Sequence, residues 1–286
     1  MTATPQDGMR IGEHIVGISR RSGTATAGAV ILLLFVIAAL AAPLLAPYPP
    51  VAIHDGAILA RPSARFWLGT DSNGMDVLSR VIYGARYALA VALSSVSVAV
   101  VLGVPLGLYA GFTGGMIDEV LIRLVDAMRV FPSIILALAV VAVLGPSVVN
   151  IIIVIGFLDA AVFARIVRSE VLALGTGTFV EAAVAAGNPV ARTLFVHLLP
   201  NAIQGATALV AIRAAWAVRV SATLAFLGVG IQAPAPEWGV MIQQGAEFMI
   251  TGQWWVGLFP GLALITLVLG FNLLGDGLQD LLDPRR

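Results

Sequence analysis

The chain has 286 residues, 59% hydrophobic and 11% charged, with zero formal net charge and a mean hydropathy of +0.97. Intrinsic disorder and a soluble globular enzyme are excluded by that balance, since a folded sphere must keep enough polar surface to stay solvated. Zero net charge gives no basic footprint for nucleic acid, and the lack of Cys and Lys removes disulfides, thiolate chemistry, Schiff-base lysines and a Walker A phosphate loop.

What remains is an all-α integral membrane protein. A helix crossing the hydrocarbon core needs about 20 mostly apolar residues. The first such run is residues 25–46; at about 22 residues it exceeds the roughly 7–15 of a signal-peptide core. The second runs from about Tyr87 to Phe112. A third begins in a charged stretch near Asp118, becomes apolar from Val130 to Leu144 and is ended by Gly145-Pro146-Ser147. The fourth covers about Val148 to Ile166, the fifth Ala202 to Val229 and the sixth Trp254 to Leu274.

Six spans put both termini on one side. Arginine counts make that side cytoplasmic: Arg10, Arg20, Arg21, Arg123, Arg129, Arg165, Arg168, Arg192, Arg285 and Arg286 fall there, and Arg61, Arg65, Arg80 and Arg86 outside. Phe66-Trp67, Trp238 and Trp254-Trp255 are expected at the outer interface. The expected organisation is an N-terminal cytoplasmic tail (residues 1–24), the first helix (25–46), an extracytoplasmic loop (47–86) and a five-helix core (87–286). In the tail, Ile11, Ile15 and Ile18 share one face of a candidate interfacial helix.

Within the outer loop, Asp71-Ser-Asn73-Gly74-Met-Asp76 lacks the spacing of a calcium loop and reads as turns. Gly103, Gly107 and Gly111 recur at every fourth position of the second span, a face that admits another backbone, from this chain or from a second subunit. Gly257 and Gly261 repeat the spacing in the sixth span. Glu119, Arg123, Asp126 and Arg129 form a helical stripe of alternating sign, either a structural ladder or part of a gate.

Three charges sit in or near apolar spans: Asp159, Arg213 and Arg219. Charges in lipid are costly, so each is expected to face a cavity, pair with another charge or snorkel to an interface. His14, His54 and His197 lie far apart and form no metal or catalytic pattern.

The cytoplasmic loop 175–201 reads as two short helices. Thr178-Phe-Val-Glu181 is a capping box, Gly187 is placed to end the first helix in a left-handed residue, and Asn188-Pro189 can restart the chain with Asn as N-cap and Pro at the first helical position. The first helix carries small side chains, so it either docks in another protein's groove or packs on its own bundle.

Here the residues carry a resemblance. Glu181-Ala182-Ala183, followed by Gly187 and by Leu199-Pro200, resembles the EAA loop of ABC-transporter permease subunits. Leu68-Gly-Thr-Asp71, Gly74-Met-Asp76 through Arg80, Gly84-Ala-Arg86, Phe226-Leu-Gly-Val-Gly230, Pro234 to Gly239, Trp254-Trp255, Phe259-Pro-Gly261 and Phe271 to Gly277 resemble the C-type subunit of dipeptide, oligopeptide and nickel importers. The resemblance implies a six-transmembrane-helix permease fold in a bacterial inner membrane and an importer of peptides, nickel complexes, glutathione or another small solute. It implies four kinds of partner: a homologous second permease subunit, two ATP-binding subunits, an extracytoplasmic substrate-binding protein and the lipid bilayer. ATP and magnesium would be held by the ATP-binding subunits, with no cofactor or metal in this chain and no enzymatic activity of its own. Glu181, Ala182, Ala183, Gly187, Asn188, Pro189, Leu199 and Pro200 would form the docking loop. Two positions depart from the family pattern: Asp159-Ala160-Ala161 precedes Ala164-Arg165 where relatives often carry Trp, and Ser221, near Arg219, stands where they often carry an acid. Arg213, Arg219, Ser221 and Asp159 are therefore the candidate pathway residues. A secondary transporter would need coupling acids within the spans, and Asp159 alone qualifies.

Overall fold

The computed structural model describes residues 23–175 and 177–282. The expected interfacial helix, the N-terminal arginines, Arg285 and Arg286 lie outside the described residues. Among the described residues, five helices are long and apolar enough to cross a membrane.

Helix α1 (Gly23–Leu40) is apolar on all sides and buries few residues. It lies at the edge and packs mainly on the last helix, α9 (Trp255–Leu282). Small residues permit the close approach: a Cβ on Gly28 would come 2.4 Å from the Leu274 nitrogen, and one on Gly277 2.3 Å from the Ala25 nitrogen.

Helix α2 (Val77–Thr113) begins ten residues before the expected start at Tyr87. Asp76 accepts from the Ser79 amide at 2.8 Å, which caps the helix. Arg80 and Arg86 read as aqueous in the sequence; both lie inside this helix and spend their donors on backbone carbonyls.

The third expected span is two helices. Amphipathic α3 (Gly115–Arg129) and apolar α4 (Ser133–Leu144) are separated at Val130-Phe131-Pro132. Pro132 supplies no amide donor and disfavours helical backbone at Phe131. Helix α4, at 12 residues, is shorter than a full span.

Helix α5 (Val148–Leu174) runs eight residues past the expected end at Ile166. It packs along α2 more extensively than any other pair of helices. Cβ atoms on Gly103 and Gly107 would lie 2.4 Å from the Ala160 and Ala164 carbonyl oxygens, and one on Gly111 2.9 Å from Val171 Cβ. Gly156 answers from α5, 2.6 Å from Val98 Cβ. The glycine face thus closes a seam within this chain. Gly257 abuts Gly245, whereas Gly261 meets nothing within 4 Å.

The 175–201 loop contains α6 (Thr178–Ala185). After it, α7 (Gln204–Phe226) is the central helix: 56% of its most apolar window is buried, against 17% for α1. Helix α8 (Trp238–Met249), which the sequence reading missed, lies against α9 and α7. Its 12 residues are too few to span and include two glutamines and a glutamate. Phe163, Leu108, Leu198, Leu267 and Trp238 sit in the main core; a second cluster joins α4, α5 and α7 through Val141, Ile151, Ile155 and Leu224.

Candidate functional site

Four regions stand out among the described residues. In the 175–201 loop, α6 ends as its sequence predicts. Gly187 has φ +73°, and the Asn188 amide donates to the Ala183 carbonyl at 3.2 Å, closing a Schellman-type cap. The restart is shifted by one residue. Pro189 is extended (φ −63°, ψ 148°), so it occupies the N-cap position and Asn188 does not cap by its side chain. The chain then turns through Val190–Arg192, a π-helical turn at Thr193–Leu198 and Leu199–Ala202. Val180, Ala183, Leu194 and Leu198 anchor the loop inward. Phe179, Val190, Phe195 and Val196 stay 41–57% exposed, beside exposed Ala182, Pro189 and Pro200 and half-buried Asn188 and Leu199. The side chains of Thr178 and Glu181, and so their capping box, lie outside the described residues.

Near the middle of both helices, Arg213 on α7 is ion-paired with Asp159 on α5. Asp159 is fully buried, and its Oδ2 has no hydrogen-bond partner among the described residues. The Arg213 guanidinium stands 4.5 Å from the centre of the Trp216 ring, a cation–π distance. Arg213 and Trp216 also line a cavity of about 400 Å³ against the Phe131-Pro132 break. The other two candidates separate from this pair: Ser221 is buried, and Arg219 is exposed beside a shallower groove with Phe226 and Ile242.

The charge stripe on α3 is not a self-contained ladder. Among the described side chains, only Glu119 and Arg123 pair along the helix, at 2.5 Å. Asp126 reaches Arg165, and Asp118 takes a two-pronged contact from Arg168, so these acids strap α3 to α5. The side chain of Arg129 lies outside the described residues.

At the start of α2, the sequence reading missed the role of Arg80. It is 1% exposed, pairs with Asp71 at 3.3 Å, and donates to the carbonyls of Pro50 and Pro234 at 3.3 and 3.2 Å. One guanidinium thereby ties the 47–76 loop and the 232–237 segment to the start of α2. The signal was available: Asp76 before Val77 and Ser79 is a helix-start pattern, which puts Arg80 one turn inside. Asp71 also accepts from the Asn73 and Met75 amides at 2.9 Å, and Gly74 has φ +74°, as a turn-rich loop requires.

The aromatic residues divide. Trp67 and Trp254 are exposed, but Phe66, Trp238 and Trp255 are buried in this cap rather than placed at a lipid interface. The indole of Trp238 donates to Val81 at 3.0 Å and that of Trp255 to Thr70 at 3.1 Å. Glu237 caps α8, accepting from the Val240 amide at 2.9 Å. Burial pushes its carboxyl up to about 7, against the opposing effect of the Val240 and Gly239 amides.

Residues 103–286, more than half of the chain, match the family described as the binding-protein-dependent transport system inner membrane component. The chain belongs to that family. Residues 20–62 match the N-terminal TM domain of oligopeptide transport permease C. The chain is 41% identical over 93% of its length to the dipeptide transport system permease protein DppC of Alkalihalophilus pseudofirmus, of which it covers 87%. It is 40% identical to the di/tripeptide transport system permease protein DppC of Pseudomonas aeruginosa, over 91% of this chain and 88% of that protein. It is 38% identical to the glutathione transport system permease protein GsiD of Pectobacterium atrosepticum, over 93% and 88%. The permease is thus a multi-pass inner-membrane protein of all-α class.

Proposed function

We propose that this permease is one half of the membrane channel of an ATP-driven importer of short peptides. It pairs with a homologous second permease, receives substrate from an extracytoplasmic binding protein and is driven by two ATP-binding subunits. ATP and magnesium belong to those subunits, and this chain performs no chemistry of its own. The 41% identity to a dipeptide permease over nearly the whole chain carries the reading. The loop from Glu181 to Pro200 is its drive point. Glu181, Ala182, Ala183, Gly187, Asn188, Pro189, Leu199 and Pro200 form the surface seated in an ATP-binding subunit, and exposed Phe179, Val190, Phe195 and Val196 support that role. Both termini are cytoplasmic, on the side richer in Arg. When ATP closes the nucleotide-binding pair, the loop is pulled and the helices exchange between inward-open and outward-open states.

Similarity to a glutathione permease at 38% identity favours glutathione, itself a tripeptide, as the second reading. The test is to extract the tagged chain from its native membrane in mild detergent and identify its companions by mass spectrometry. A second permease and two ATP-binding subunits are expected. Recovery of the chain alone, persisting in gentler extraction, overturns the proposal.

A further inference from the structure

We propose that the Asp159–Arg213 pair and the cavity beside it form a recognition site for a zwitterionic ligand, such as a free short peptide, part-way through the membrane. This rests on the peptide-importer reading and adds the residues that would read the cargo within this subunit.

Depth is the first argument. Helix α5 has 27 residues, about 40 Å at 1.5 Å per residue, and Asp159 lies about 17 Å along it. Arg213 is likewise near the middle of α7. Charged side chains at such depth are expensive and mark pathways or buried pairs. The backbone supplies the second argument. Non-helical chain at membrane depth is tolerated where it is buried in protein or lines a cavity, and the Val130-Phe131-Pro132 interruption borders the cavity that Arg213 and Trp216 line, with Leu158 and Val162 on another wall. Its volume, about 400 Å³, is within the roughly 300–1,000 Å³ of small-ligand pockets.

Chemistry selects the ligand class. In this structure Asp159 and Arg213 neutralise each other. An anion drawing Arg213 away strands the buried Asp159 carboxylate, and an uncompensated buried charge is strongly unfavourable. A ligand bearing both charges compensates both. Its carboxylate takes Arg213, on the cavity wall, and its ammonium takes the guanidinium's place on Asp159, which is fully buried next to that wall and whose Oδ2 has no hydrogen-bond partner among the described residues. The Trp216 face, which now carries the guanidinium, is a second surface that attracts an ammonium. The pair is therefore an internal substitute for the cargo, closing the site when no cargo is present.

The test uses the complete transporter in nanodiscs, without the binding protein, and the equilibrium binding of radiolabelled alanyl-alanine, its N-acetyl form and its C-terminal amide. The wild type is expected to favour the free dipeptide over both blocked forms by at least tenfold. Arg213→Gln is expected to abolish the advantage over the amide, and Asp159→Asn that over the N-acetyl form. The double variant Asp159→Asn with Arg213→Gln leaves no buried charge alone, so it keeps the fold while losing both preferences. Equal weakening of all three ligands, or full discrimination in the double variant, overturns the proposal. Uptake of alanyl-alanine into proteoliposomes with the binding protein present separates the two readings. Uptake without discrimination at this pair sinks the site and leaves the importer, while no peptide uptake by the wild type sinks the peptide reading itself.

Discussion

The cap around Arg80 and the 175–201 loop are built on opposite terms. The cap is finished within the chain: Arg80, Trp238 and Trp255 each bond to segments distant in sequence, Asp71 and Asp76 fix the local turn and helix start, and all five side chains are buried. The loop is held by a few inward anchors, while Phe179, Val190, Phe195 and Val196 are left open to solvent. Gly187, at its tip, has φ +73° and open space around it. A surface whose apolar side chains have no cover within the chain is completed by another protein, whereas a cap that satisfies its own donors acts as a rigid lid on the bundle. Substitutions in the loop should therefore change what the transporter does, and those in the cap should change whether it folds.

The largest expected effect is in the loop. Gly187→Arg puts a charged, L-configured residue where the backbone is left-handed, at a local cost of roughly 1–2 kcal/mol, and projects it from the docking surface. Transport is expected to fall to background with abundance close to wild type, measured by uptake and immunoblot. Full transport at normal abundance would falsify the docking role.

In the cap, Arg80→Ala strands Asp71 and frees the carbonyls of Pro50 and Pro234. Breaking a buried ion pair costs on the order of 3–5 kcal/mol. A sharp loss of folded protein is expected in a detergent thermal-unfolding assay, with no such loss for Arg61→Ala on the exposed part of the same loop. The seam between α2 and α5 tests the frame joining cap and loop. Gly107→Ala puts a methyl 2.4 Å from the Ala164 carbonyl oxygen, and overpacking of this kind costs about 1–3 kcal/mol. Gly261→Ala, with nothing within 4 Å, is expected to be neutral.

These positions also show what the sequence could and could not reveal. The glycine period of four in the second span was plain, but not its partner, because a smooth face states what can approach and not from which chain. The apolar runs located the spans, yet missed the start of α2, because Arg80 is met by Asp71 and both Arg80 and Arg86 donate to backbone carbonyls far away in sequence. The break in the third span was visible in Phe131-Pro132, but the hydrophobic run masked it. Asp159 and Arg213 could each be named as costly in lipid; that they neutralise each other depends on the crossing of α5 and α7, 54 residues apart. The π-turn at Thr193–Leu198 had no signal in the sequence.

The smallest expected effect reads the cap through pH. Glu237 is buried at the N-cap of α8, and its carboxyl titrates near 7 when folded, above the ordinary value of about 4.5. Between those two values the folded state holds a proton that the unfolded state has released. Raising the pH through that window therefore favours unfolding, and the stabilisation present below about 4.5 is gone above about 7. Glu237→Gln keeps an oxygen that can accept from the Val240 amide and carries no charge at any pH. Thermal unfolding of the purified complex is expected to drop from pH 5 to pH 8 in the wild type and to show a shallower drop in the variant. The two should come closest at the acid end, where folded Glu237 is neutral like the glutamine. Parallel curves would mean that Glu237 ionises freely in the folded cap, and that the 232–237 segment admits water where Arg80 and Trp238 are taken to seal it.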